Sequence, residues 1–253
     1  IGSDIYVGCS NGALLRYFCV DALNSSEPES YQLLMSQSLP FERPIDQIIL
    51  VPSVEHVLVF SGQQIHFFSY PNLEPIEDIK PLRNVVSFAL DEAQLRKSPS
   101  ERRSPQQEFI RLCAIKRNSI NVYVLTAPRL QFRKEIQFPN GGTNPRLINQ
   151  HLCLSDQANY NIVDIETQMA TPILPLSQAS DSLKVDPSIT IISDNEFLIL
   201  SWTGTGSMGI FISGNGDPMP GRPLMQWPSH PVSVCTYTVS SRNAFLNLIL
   251  ILL

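Results

Sequence analysis

The first residues with chemical potential are Gly8-Cys9-Ser10-Asn11-Gly12, which match G-x-S-x-G. That pattern makes a nucleophilic serine where a strand turns sharply into a helix and exposes the hydroxyl. Here the next run is Leu15-Arg16-Tyr17-Phe18-Cys19-Val20, whose aromatic and β-branched residues favour a strand. Asn11-Gly12 specifies a hairpin of type I′, in which both central residues take positive φ. Ser10 therefore reads as a turn residue, and nothing around His56 or His151 marks either as its base. A second pattern, Gly204-Thr205-Gly206-Ser207-Met208-Gly209, matches G-x-G-x-x-G. Dinucleotide binding needs a helix after it, because the helix N-terminus holds the pyrophosphate. The next residues are instead Ile210-Phe211-Ile212-Ser213, a strand pattern, and then the turn Gly214-Asn215-Gly216-Asp217. These glycines read as a hairpin turn, and no nucleotide cofactor is expected.

The remaining chemistry-bearing residues are scattered. His56, His66, His151 and His230 show no H-x-x-x-H spacing. Cys9, Cys19, Cys113, Cys153 and Cys235 form no C-x-x-C pair, and each sits in an apolar run. They read as buried free thiols of a reducing compartment, so no metal site is expected. No carboxylate pair can be placed face to face. Neither a catalytic residue nor a cofactor is expected, and the chain reads as a non-enzyme. Asn24-Ser25-Ser26 matches a glycosylation sequon but reads as unmodified, since no signal peptide precedes it.

The elements that must position these residues are short. Among 253 residues, 43% are hydrophobic, only 16% are charged and 20 are proline, which argues for a packed chain and against long helices. The net charge of −5 argues against a nucleic-acid platform. No apolar stretch reaches the roughly 18 residues of a membrane helix. Five hairpins can be read: Asp4–Gly8 with Ala13–Val20, His56–Phe60 with Ile65–Tyr70, Phe109–Ile115 with Ile120–Val124, Leu152–Leu154 with Tyr160–Ile165, and Glu196–Trp202 with Met208–Ile212. Further strand candidates lie between them at Asp46–Val51, Asn84–Leu90, Leu130–Phe138 and Ser188–Ser193. Four strands per roughly 40–50 residues is the period of a β-propeller, so the expectation is an all-β propeller of four-stranded antiparallel blades. About five blades are visible, and residues 1–253 read as one such domain, incomplete at one or both ends. The apolar run Leu246–Leu253 reads as truncated or altered sequence. Asp91–Glu108 departs from the pattern. Arg96, Lys97, Arg102 and Arg103 against Glu101 give it a local charge of +3, and it reads as a disordered basic insertion. Ser98 and Ser104, each followed by proline, are candidate phosphorylation sites within it.

Taken in order, several segments resemble the citron-homology domain, and more narrowly the N-terminal domain of the TGF-beta receptor-associated and vacuolar-sorting family. They are Ile5-Tyr6-Val7-Gly8 with its Asn-Gly turn, Leu73-Glu74-Pro75-Ile76 followed by Val85–Glu92, Leu112–Arg117, Gly206–Phe211, and Leu224-Met225-Gln226-Trp227-Pro228 before Pro231–Val234. After Val234, where another turn and strand would be due, the resemblance ends. It implies a non-catalytic domain of an endosomal tethering subunit of the CORVET or HOPS kind. Such a subunit contacts Rab-type GTPases and other tether subunits, and is cytoplasmic and peripheral on endosome or vacuole membranes. Other citron-homology domains regulate Rho exchange factors or citron-like kinases. No partner-binding residue carries over from the family.

Overall fold

The computed structural model describes residues 4–20, 30–96, 108–179, 185–231, 233–241 and 244–252, with backbone alone for 20, 233, 235–241 and 244–252. They form two compact units, one running up to Val85 together with Leu125–Gln131, the other comprising most of the chain from Val86 onward. Every sheet is an antiparallel meander of consecutive strands. The first is three-stranded: β1 (Ile5–Gly8), β2 (Ala13–Val20) and β3 (Ser30–Ser38). The second has four strands: β4 (Ile45–Val51), β5 (His56–Ser61), β6 (Gln64–Ser69) and β7 (Leu82–Arg83). The third joins β8 (Ser87–Leu90), β9 (Ile110–Ile115), β10 (Ser119–Thr126) and β11 (Arg129–Gln137), with helix α1 (Glu92–Arg96) after β8. The fourth holds β12 (Thr143–Ile148), β13 (His151–Ser155), β14 (Asn159–Asp164) and β15 (Met169–Pro175). The fifth holds β16 (Ile189–Ser193), β17 (Glu196–Trp202), β18 (Ser207–Ser213) and β19 (Met225–Trp227). Last comes a two-stranded pair, β20 (Ser233–Ser241) and β21 (Ala244–Leu252).

All five hairpins and the four strands between them occur where the apolar runs place them. In the first five sheets, the strands that the pattern does not show are β3, β7, β12, β15 and β19. They lie at sheet edges, where a run need be apolar on one face only. Pro172 and Pro175 sit in the outer strand β15, and Pro145 sits at a register shift in β12 between Thr143 and Arg146. Those are the places where a missing N–H breaks no ladder.

Four expectations need correction. The β1–β2 turn is not type I′: it spans four residues, and Gly12 has φ +80° while Asn11 does not cross to positive φ. The two-residue turn with both φ positive is Gly62-Gln63, between β5 and β6. The basic insertion begins with order. Asp91 pairs with Leu147 in an isolated bridge, and its Oδ1 accepts the N–H of Ala93 (3.1 Å) and of Asn149 (2.9 Å), which starts α1. Of the cysteines, Cys113 and Cys153 are fully buried, and burial pushes the Cys113 thiol up to about 12, but Cys9 and Cys19 are only half-buried. Finally, the apolar tail does continue the pattern after Val234, because β21 pairs residue by residue with β20 from Ser233↔Leu252 to Ser241↔Ala244.

The core of the second unit runs from sheet to sheet. Cys113, Ile115 and Ile120 meet Leu147, Leu152 and Val163 in one cluster. Ile148, Cys153 and Tyr160 meet Ile189, Phe197 and Ile199 in the next. Packing is close enough to require glycine. A Cβ on Gly209 would come within 2.6 Å of the Trp227 ring and 3.1 Å of Leu200. Gly209→Ala should therefore destabilise the protein by about 1–3 kcal/mol through overpacking, measured by urea denaturation.

Candidate interaction surface

A cavity of about 1340 Å³ opens in the second unit. Its wall comes from the β9–β10 turn at Arg117, the 140–144 loop, the 156–159 turn, the end of β15, and the segments 185–189 and 230–231. Turn chemistry builds the floor. Gly141 has φ +62°, and a Cβ there would meet the Arg117 carbonyl at 2.9 Å; a Cβ on Gly142 would meet Leu154 at 2.3 Å. The Ser87 hydroxyl donates to the Gly142 carbonyl (2.8 Å). Asp156 closes the β13–β14 turn, its Oδ1 accepting the N–H of Ala158 (2.8 Å) and Asn159 (2.7 Å).

The 185–189 segment is pinned by side chains from two strands, β12 and β14, and by His230 after β19. Tyr160, fully buried, accepts the Ser188 N–H (3.0 Å) and donates to the Leu200 carbonyl (2.5 Å). Arg146 Nε donates to the Ile189 carbonyl (3.3 Å), and the Asn144 amide donates to the Pro187 carbonyl. His230 Nε2 lies 2.9 Å from the Asp186 carbonyl, which can only accept, so Nε2 carries the proton and Nδ1 accepts from Ser207 Oγ at 2.7 Å. That is a serine–histidine pair, but Ser207 is 2% exposed and does not line the cavity, so no substrate reaches its hydroxyl. The pair is a brace. Three of the wall's own hydroxyls are engaged: Ser155 Oγ lies 3.0 Å from Thr143 Oγ1, and Ser177 Oγ accepts the Ala179 N–H. What the wall presents is a mixed polar surface. Its charged groups are Arg117, Arg146, Asp156 and Asp186, set among several amides.

The residues singled out from sequence do not converge. Ser10 is exposed in the β1–β2 turn, and strand β2 comes after it, not a helix. His56 is buried, and its Nδ1 bonds the Val54 carbonyl; burial lowers its pKa. His66 lies on β6, and burial, with Arg83 beside it, lowers its pKa also. His151 lies on β13, and only His230 reaches the cavity. Gly204 and Gly206 lie in the β17–β18 turn, and Gly209 lies in β18 itself. Gly204 has φ +97°, and a Cβ on Gly206 would meet the Trp227 carbonyl at 2.5 Å, so these glycines serve strand packing. Among the described residues no three His, Cys, Asp or Glu side chains gather as a metal site. Ser98 and Ser104 lie outside the described residues. The cavity wall leaves little trace in the sequence. Its signals are turn residues, Asn140-Gly141-Gly142 and Asp156–Asn159, which look like ordinary punctuation until the sheets bring them together.

The VPS3 N-terminal domain family model matches residues 1–246. The chain belongs to that family. The match passes beyond Val234, so the resemblance does not stop there. Mouse transforming growth factor-beta receptor-associated protein 1 is 20% identical over 97% of this chain and 27% of its own length. Vacuolar protein sorting-associated protein 3 of Saccharomyces cerevisiae is 21% identical over 93% of this chain and 22% of its own length. The chain thus spans about a quarter of each relative. Among solved structures, the AfRom2 CNH domain matches 97% of this chain and 79% of that chain (TM-score 0.52, 15% identity). The Nup133 β-propeller domain of Vanderwaltozyma polyspora matches 97% of this chain and 80% of that chain (TM-score 0.53, 12% identity). The fold of this VPS3 N-terminal domain is that of a β-propeller, as its strand period predicts.

The cavity turn gives a pH prediction. Burial would raise the Asp156 carboxyl, but the N–H groups of Ala158 and Asn159 outweigh it and hold it below its usual value. A depressed folded pKa stabilises the fold above the unfolded value of about 3.9, and that contribution disappears as pH falls through the folded value. Asp156→Asn keeps an acceptor but loses the charge. Thermal melts at pH 7 and pH 3 should show a smaller loss on acidification than in the wild type.

Proposed function

We propose that this chain is the non-catalytic N-terminal interaction domain of an endosomal vesicle-tethering subunit of the CORVET kind. It contacts a Rab-type GTPase and other tether subunits, and works in the cytoplasm at endosome or vacuole membranes. The observation that carries the reading is membership of the VPS3 N-terminal domain family over nearly the whole chain. Two features support it. A propeller offers loops and faces to partners while keeping its strand edges short. The cavity wall is a braced surface of mixed polarity on which the Thr143, Ser155 and Ser177 hydroxyls are held in structural hydrogen bonds, as befits recognition. Among the described residues no helix is long and apolar enough to cross a membrane.

The test is capture by the full-length subunit of endosomal Rab GTPases loaded with GTP or GDP, and of the other tether subunits. Recovery of a GTP-loaded early-endosomal Rab supports the CORVET reading. Recovery of a late, vacuolar one instead moves the subunit to a HOPS-type role. Recovery of neither a Rab nor a tether subunit overturns the proposal. Arg117→Glu reverses an exposed charge on the cavity wall whose side chain is not needed for the floor. It should weaken capture of the partner by about tenfold, near 1.4 kcal/mol, with an unchanged melting temperature.

A further inference from the structure

The β1–β3 sheet has one covered face and one open face. Strand register assigns each side chain. Tyr6, Arg16 and Met35 share a row, as do Gly8, Leu14 and Gln37, and on this side Leu14 is fully buried with Tyr6 and Met35 packed near it. The opposite face carries the rows Ile5–Tyr17–Leu33 and Val7–Leu15, with Cys19 paired to Tyr31. None of these residues is charged. Ile5, Val7, Tyr31 and Leu33 are 42, 37, 42 and 53% exposed, and the other three are only half-buried.

The middle strands of the other sheets are different. Val57, Leu58 and Val59 in β5 are all at 0%, as are Leu152, Cys153 and Leu154 in β13. Consecutive strand residues point to opposite faces, so burial of each in turn means a covering layer on both sides. The first sheet has apolar residues for two layers, and among the described residues only one layer is in place. A contiguous, uncharged patch of this kind marks an interaction surface.

We propose that this face is a docking surface for one further β-sheet of the same polypeptide, lying outside residues 1–253, whose apolar face stacks on Ile5, Tyr17 and Leu33. Two observations identify that occupant. The chain accounts for 79% and 80% of two solved propeller-type domains while being nearly fully covered itself, which leaves about a fifth of each domain unmatched, the share of one more sheet. The curated relatives, moreover, are about four times as long as the matched segment, so chain to supply the sheet exists in them.

Cys19 lies on the open face and reports on it. In the full-length protein, thiol labelling with a water-soluble maleimide at neutral pH is read by peptide mass, beside a Ser10→Cys variant in the exposed β1–β2 turn. The introduced thiol should label quickly. Cys19 should label more than about tenfold more slowly, as expected for a thiol reached only through opening, at concentrations where light scattering shows a monomer. Leu33→Glu, which sets a charge into the contact, should lower the melting temperature and restore Cys19 labelling. Labelling of wild-type Cys19 as fast as the introduced thiol overturns the proposal. So does protection seen only in a dimer, which would make the occupant a second copy, or only after a tether subunit is added. If Leu33→Glu fails to fold, the wild-type protection still decides.

Discussion

Sheets that are apolar on both faces cannot stand alone in water, and this single constraint organises the molecule. Val57–Val59, Leu152–Leu154 and Phe197–Leu200 are buried residue after residue, so each middle strand needs a layer on either side. In the second unit that need is met in series. The third and fourth sheets share one apolar cluster, the fourth and fifth share another, and Val234 of β20 packs on the outer cluster of the fifth. Burial drives the stack without directing it, since apolar contact has no orientation.

Direction comes from a few polar side chains set between the layers. Asp91 is 2% exposed, and burial raises its carboxyl despite the N–H groups of Asn149 and Ala93 and nearby Arg111; it ties the end of β8 to the β12–β13 turn. Tyr160 spans from β14 to β17 and to the start of β16. Glu196, 3% exposed, takes a two-point grip from Arg222, which also lies over the Phe211 ring at 5.1 Å. A buried carboxylate or phenol left without its partner would cost free energy, so these contacts admit one register where apolar packing alone would admit several. The Tyr160 contacts also brace the cavity wall, which is why a surface built from loops holds a defined shape.

The strongest motifs in the sequence illustrate how a local pattern acquires its meaning from what lies next to it. Ser10 sits in a turn that leads into β2, so its hydroxyl stands on a hairpin and lacks the strand-to-helix corner that makes a nucleophile. The Gly204–Gly209 cluster is spaced for a pyrophosphate, yet Gly206 and Gly209 are glycine because Trp227 on the neighbouring strand leaves no room for a Cβ. The serine–histidine contact that does exist joins Ser207 to His230, residues 23 apart whose pairing no spacing rule suggests, and its hydroxyl is sealed from solvent.

Strands that pack on both faces are legible in the residues alone. Runs such as Val57–Phe60 and Phe197–Leu200 are apolar in every position, and turn residues such as Gly62 stop them, so hairpins, their spacing and the blade period can be read directly. Some edge strands, such as β4 and β16, are apolar enough to be read in the same way, but β3, with Ser, Gln and Tyr, and β15, with two prolines, are not, because they obey only half of that rule. The cavity, the Tyr160 and Asp91 braces and the open face of the first sheet exist only once the sheets assemble. Each of these depends on residues tens of positions apart, and on which of two faces a side chain takes. A strand's register settles that choice, and register is fixed only when the neighbouring sheet is in place.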